Sequence, residues 1–194
     1  MNFAAEYKKQ LNAAIEAIDT KQVDQAIALF EEALRNDKQI LVCGNGGSGS
    51  TASHFVCDIL KGASYNRDKR FRILSLCDSV ATLTAYSNDV NYECAFVEQL
   101  KNYARPGDVV MALSGSGNSP SVIHAINYAN QAGCKTIVLT GRDGGKLGPL
   151  GQINIHVPVE HMGRIEDAHF VICHMIAYRF MESAKGGFEP VLRD

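Results

Sequence analysis

The chain has 194 residues, 46% hydrophobic and 21% charged, which suits one soluble domain with a sizeable core. A formal net charge of -2 excludes a broad basic surface and argues against nucleic acid as the main partner. No stretch supplies the ~20 apolar residues of a membrane span, and the first nine residues lack a signal peptide's apolar core, so a cytoplasmic protein is expected.

Residues 1–36 read as a helical hairpin. Phe3, Tyr7, Leu11, Ala14, Ile15 and Ile18 form one stripe at helical spacing, and Val23, Ala26, Ile27, Phe30, Ala33 and Leu34 form another. A hairpin ahead of an α/β core has no sheet of its own to cover, which makes it a candidate subunit interface. Residues 37–184 then alternate strand and helix. Strands are expected at 39–43, 72–76, 107–113, 135–140 and 152–157, and helices at 48–61, 79–87, 92–102, 120–131 and 164–184. The last helix carries Ile165, His169, Ile172, Cys173, Ile176 and Phe180 on one stripe. Alternation of this kind predicts one domain with a parallel sheet between two helical layers, ligands binding at the carboxyl ends of the strands. Residues 185–194 read as a loose tail. The six cysteines are scattered singly without a C-x-x-C pair, and read as buried, reduced thiols.

Two glycine- and serine-rich turns carry the chemistry. Gly44-Asn45-Gly46-Gly47-Ser48 follows the first strand, and Ser114-Gly115-Ser116-Gly117-Asn118-Ser119 follows the third. Each opens a helix, where free backbone N–H groups and the helix dipole favour an anion. Small residues admit a close ligand and serine hydroxyls add donors. Together the turns suggest a phosphate on one and a polar body on the other. His54 and Asp58, four apart on the helix that starts at the first turn, share a face near this pocket.

With these turns placed, the chain resembles the sugar isomerase (SIS) family over nearly its whole length, and within it the heptose-phosphate branch. The matching residues are Cys43 to Ser48, His54-Phe55, Asn88-Asp89, Ser114 to Ser119, Leu139 to Lys146, and Arg164-Ile165 through His169 to His174. The resemblance implies a three-layer α/β/α fold with a flavodoxin-like sheet, and a homotetramer with active sites between subunits. It implies phosphate binding by Ser114, Gly115, Ser116 and Ser119, and sugar contacts from Asn45, Gly46, Gly47, Ser48, Asn88 and Asp89. It also implies a zinc site at His54, Asp58, Glu166 and His174. Asp58 and His174 would be the acid/base groups, with Asp58 and Glu166 also touching substrate. The implied reaction is aldose–ketose isomerisation through an enediol, with sedoheptulose 7-phosphate and D-glycero-D-manno-heptose 7-phosphate as the pair.

Three positions depart from the family pattern. Gly115 stands where threonine is usual, Asp58 where glutamate is usual, and Glu166 where glutamine is usual. All three fall in the pocket, which keeps open an isomerase of another phosphosugar. A non-catalytic branch of the family, which associates with a replication initiator, is a further alternative. Carboxylates and histidines at all four acid/base and metal positions favour the enzyme. Glu166 and His174 are eight apart on one helix, a rise of ~12 Å with about 80° of rotation. They can serve one ion only by reaching along the helix or by coming from different subunits. His169 is read as structural, and His124, His156 and His161 as surface residues.

Overall fold

The computed structural model describes residues 2–183; the tail expected at 185–194 lies outside them. Five parallel strands stand in the order β2-β1-β3-β4-β5, with β1 at Gln39–Gly44, β2 at Arg72–Ser75, β3 at Val109–Ser114, β4 at Lys135–Gly141 and β5 at Ile153–Val157. The three inner strands are buried almost throughout, as expected of a parallel sheet covered on both faces. Chain order reverses between β1 and β3, so the segments leaving these neighbours diverge and open a crevice at their carboxyl ends. The two glycine- and serine-rich turns occupy it.

One face of the sheet is covered by α1 (Phe3–Glu16), α2 (Thr20–Arg35), α3 (Gly46–Cys57) and α7 (Met162–Ser183). The other is covered by α5 (Ala95–Tyr103) and α6 (Pro120–Gln131), with α4 (Val80–Asp89) outside them. On the first face Phe30 is fully buried, its ring 5.6 Å from Phe55, 6.2 Å from Phe71 and 6.4 Å from Phe180. Phe30→Ala would empty the centre of this cluster and cost about 3–5 kcal/mol.

This packing corrects the premise about the hairpin. α2 lies against β1, β3 and β5 and buries Val23, Ala26, Phe30 and Ala33, so the hairpin does have a sheet to cover. An apolar stripe shows that a helix packs, but not against what. α1 packs on α7, Tyr7 donating to Asp167 Oδ2 at 2.6 Å, and leaves Phe3 exposed.

Two further expectations change. Cys43, Cys134 and Cys173 are buried, but Cys77 and Cys94 are half-buried and Cys57, on the outer side of the last turn of α3, is exposed; all six are free. The helix expected at 48–61 starts two residues earlier and gives way after Cys57 to a π-helical turn at Asp58–Gly62. Its wider ring is closed by Ala63 N–H on Asp58 O at 3.1 Å.

Candidate active site

α3 is a poor helix by composition, opening Gly-Gly-Ser-Gly-Ser-Thr. The hydroxyls of Ser50, Thr51 and Ser53 each donate to the carbonyl four residues back, and Ala52, Phe55 and Val56 bury its inner side. Tertiary packing therefore holds it, and the small residues keep its first turn open. Its N-cap, Asn45, makes no capping bond because its amide is engaged elsewhere. Asn45 Oδ1 accepts from Tyr92 Oη at 2.6 Å, and Nδ2 donates to Ser121 Oγ at 3.0 Å. Ser121 lies in the first turn of α6, so Asn45 ties the first loop to the base of the second.

The second loop is a turn closed by Gly117 N–H on Ser114 O at 3.0 Å, with Gly117 at φ +63°. Ser116 Oγ accepts from Asn118 N–H, and Ser114 Oγ donates to Ser119 Oγ at 3.4 Å. The 144–147 segment clamps its outer side, Leu147 N–H donating to Gly117 O and Lys146 N–H to Asn118 Oδ1. Ser119 begins α6 without a side-chain cap and Pro120 follows at the first helical position, so the helix N-terminus stays free for an anion.

The first turns of α7 cross both loops. A Cβ on Gly115 would lie 2.6 Å from Met162 Sδ, one on Gly141 2.6 Å from Ile165, and one on Gly47 2.5 Å from Glu166 Oε1. Three absent side chains thus make room for one helix. The result is a cavity of about 270 Å³ lined by Asn45, Gly46, Gly47 and Ser48, by Ser114, Gly115, Ser116 and Ser119, and by Met162 and Glu166, with Leu113 at its base. Among the described residues, no lysine or arginine lines it.

Two turns further along α7 lies a second group. His54 Nε2 is 3.2 Å from Asp58 Oδ2, His174 Nε2 is 3.5 Å from the same oxygen, and the two Nε2 atoms are 3.3 Å apart. Asp58 Oδ2 is buried and makes no hydrogen bond. In a tetrahedral zinc site with bonds of ~2.0–2.1 Å, donor atoms stand roughly 3.3–3.4 Å apart. Two imidazoles and a carboxylate at this spacing, with the oxygen otherwise orphaned, fit such an ion. The Phe170 ring packs against both imidazoles, 4.6 Å from His54 and 4.5 Å from His174, and so restricts how the two rings can turn.

The structure therefore brings His54, Asp58 and His174 together, and separately brings the two loops and Glu166 together. It does not bring Glu166 to the trio within one chain, because the rise along α7 holds it at the loop end. Nor does it bring Asn88 and Asp89 to either group. They form the last turn of α4, exposed, with Asn88 Nδ2 donating to Asp89 Oδ1, and Asp89 faces a separate depression with Tyr86 and Val90. Sequence reasoning missed Met162, Tyr92, Ser121 and Phe170. Only Phe170 left a signal, the spacing of four that joins it to His174 and Tyr178 on one face of α7.

His169 lies between the two groups on α7 but points inward. It is 1% exposed, its Nε2 lies 3.2 Å from Thr140 O, and burial pushes its pKa down to about 4. His156 is half-buried rather than a surface residue, its Nδ1 3.0 Å from Thr140 Oγ1. Burial also raises the Cys173 thiol far above its usual range, which keeps it a neutral packing group beside the trio.

The SIS domain family profile matches residues 2–141. The chain belongs to the SIS domain family. Among relatives of this SIS domain, the phosphoheptose isomerase of Aliarcobacter butzleri is 40% identical over 162 residues, 82% of this chain and 85% of that one. The solved phosphoheptose isomerase GmhA of Neisseria gonorrhoeae superimposes with a TM-score of 0.84 at 31% identity, covering 93% and 97% of the two chains. A phosphoheptose isomerase from Francisella tularensis gives 0.86 at 28% identity, covering 93% and 96%.

Proposed function

We propose that this SIS domain is a phosphoheptose isomerase, interconverting sedoheptulose 7-phosphate and D-glycero-D-manno-heptose 7-phosphate through an enediol. The observation that carries the reading is the pairing of an anion pocket at the first turns of α3, α6 and α7 with a carboxylate–imidazole trio further along α3 and α7 and the turn after α3. The relatives at 40% and 31% identity, both phosphoheptose isomerases, support it.

The serine loop and the α6 N-terminus hold the phosphate, and the Asn45–Ser48 turn faces the sugar chain. Isomerisation requires a base at the carbon beside the carbonyl and a group that stabilises or protonates the enediol oxygen. Asp58 and His174 are the residues for these tasks. His54, Asp58 and His174 would hold zinc, which when bound polarises the carbonyl. Glu166 of the same chain stays at the loop end of the site, beside the Asn45–Ser48 turn.

The active unit in this reading is a cytoplasmic homotetramer. Contact with another copy is supported by an apolar groove of about 460 Å³ between α2 and α7, with His174 on its wall and Met175 and Tyr178 exposed along it. A second copy seated there would close the open side of the trio.

Incubation with sedoheptulose 7-phosphate in D2O, with and without zinc, tests the reading by NMR. Deuterium entry at C1 of the ketose with appearance of the aldose is the expected result, faster with zinc. Absence of exchange in both arms would overturn it.

A further inference from the structure

We propose that Glu166 selects the charge of the ligand, admitting a phosphorylated sugar whose carbons beyond the phosphate carry hydroxyls and rejecting one that carries a second anion. The inference rests on the phosphosugar reading of the pocket and adds what that pocket discriminates.

Four observations carry it. The carboxylate lies over the backbone of Gly47, in the same 270 Å³ cavity as the serine loop. Among the described residues no lysine or arginine lines this cavity, and those that do line it meet phosphate charge with hydroxyls and N–H dipoles. Among the described residues no ion pair neutralises Glu166. The charged neighbours on its own helix are engaged with Tyr7, Arg164 stacking over its ring at 5.1 Å and Asp167 accepting from its hydroxyl.

An ionised carboxylate only accepts hydrogen bonds, so its proper partner is a donor, and a sugar hydroxyl is one. The phosphate itself is driven to the opposite wall, where donors converge. The ligand is thereby oriented, phosphate on the serine loop and hydroxyl-bearing carbons on Glu166. A second anion carried on those carbons meets a like charge at short range. At ~6 Å, with an effective dielectric between that of a protein surface and of water, this costs roughly 3- to 100-fold in affinity.

The test uses two small probes on one three-carbon skeleton, glycerol phosphate and 3-phosphoglycerate, which differ by a terminal hydroxymethyl against a carboxylate. Both are short enough to report on this cavity. Their affinities, with inorganic phosphate as reference, are measured by ligand-observed NMR on the wild-type protein, E166Q and E166D. The expected result is that glycerol phosphate binds at least about threefold more tightly in wild type and E166D, and that E166Q brings the ratio close to one. A wild type without preference, or a preference that survives in E166Q, overturns the proposal while leaving the phosphate pocket intact. Failure of inorganic phosphate and both probes to bind wild type overturns the pocket reading and this inference with it.

Discussion

The two ends of the site hang on the same pair of helices and carry opposite chemistry. At the loop end, the first turns of α3 and α7 meet over glycines, and the lining is hydroxyls and free N–H groups around one carboxylate. At the trio end, the last turn of α3 and the middle of α7 meet through side chains, and three donor atoms converge within 3.5 Å. One end suits an anion and the other a cation. A helix has its dipole's positive end only at its start, so anion binding is confined to first turns, whereas side-chain ligands can be mounted anywhere along the face. The comparison predicts that the ends can be damaged independently.

The largest effect is expected from His174→Ala, which should lower turnover at least ~100-fold while leaving inorganic phosphate affinity within about twofold, since the phosphate groups lie in the other cavity. Turnover by a coupled assay and binding by NMR check the two halves. A parallel loss of phosphate affinity would break the comparison.

His169 joins the ends, because it pins the stretch of α7 between them to the sheet. Its folded pKa lies below its unfolded value, so the unfolded chain takes up the proton first as pH falls. The stability it confers is complete above about pH 6.5 and is lost as pH falls towards 4. A shift of this size amounts to about 3 kcal/mol. Urea unfolding at pH 7 and pH 4 should show this loss in wild type and a loss smaller by about that amount in His169→Phe.

Gly117→Ala attacks the loop end alone. At φ +63° an alanine is strained, and its Cβ would meet the backbone of Gly144. A destabilisation of about 1–3 kcal/mol is expected by urea unfolding, with weaker phosphate binding and unchanged cobalt binding at the trio. Phe170→Leu is the mirror case. It should weaken zinc or cobalt affinity about tenfold by chelator competition, with phosphate affinity unchanged. The smallest effect is expected of Tyr92→Phe, which removes one hydrogen bond to Asn45. It should raise KM a fewfold, about 1 kcal/mol, with kcat little altered.

Both turns and the positions of the five strands along the chain were legible because glycine, serine and apolar runs are local signals with local causes. The buried stripe of α7 was legible for the same reason, and Ile165, His169, Ile172, Cys173, Ile176 and Phe180 all face the core. The placing of α2 was not, since Val23, Ala26, Phe30 and Ala33 would look the same on a subunit interface as on a sheet. Tyr92 was illegible because its partner lies 47 residues away. Gly47 and Gly115 were read as room for a ligand, whereas the structure fills the space beside them with Glu166 and Met162 of this same chain.

Local signals along the chain were enough to place two anion-ready turns at the carboxyl edge of a parallel sheet, and to set Glu166 and His174 ~12 Å apart along one helix. How that separation is used depends on the packing of elements far apart in the chain. The crossing of α3 and α7 gives Glu166 to the loops and His174 to His54 and Asp58, because side chains on two straight helices meet only where their axes and faces coincide.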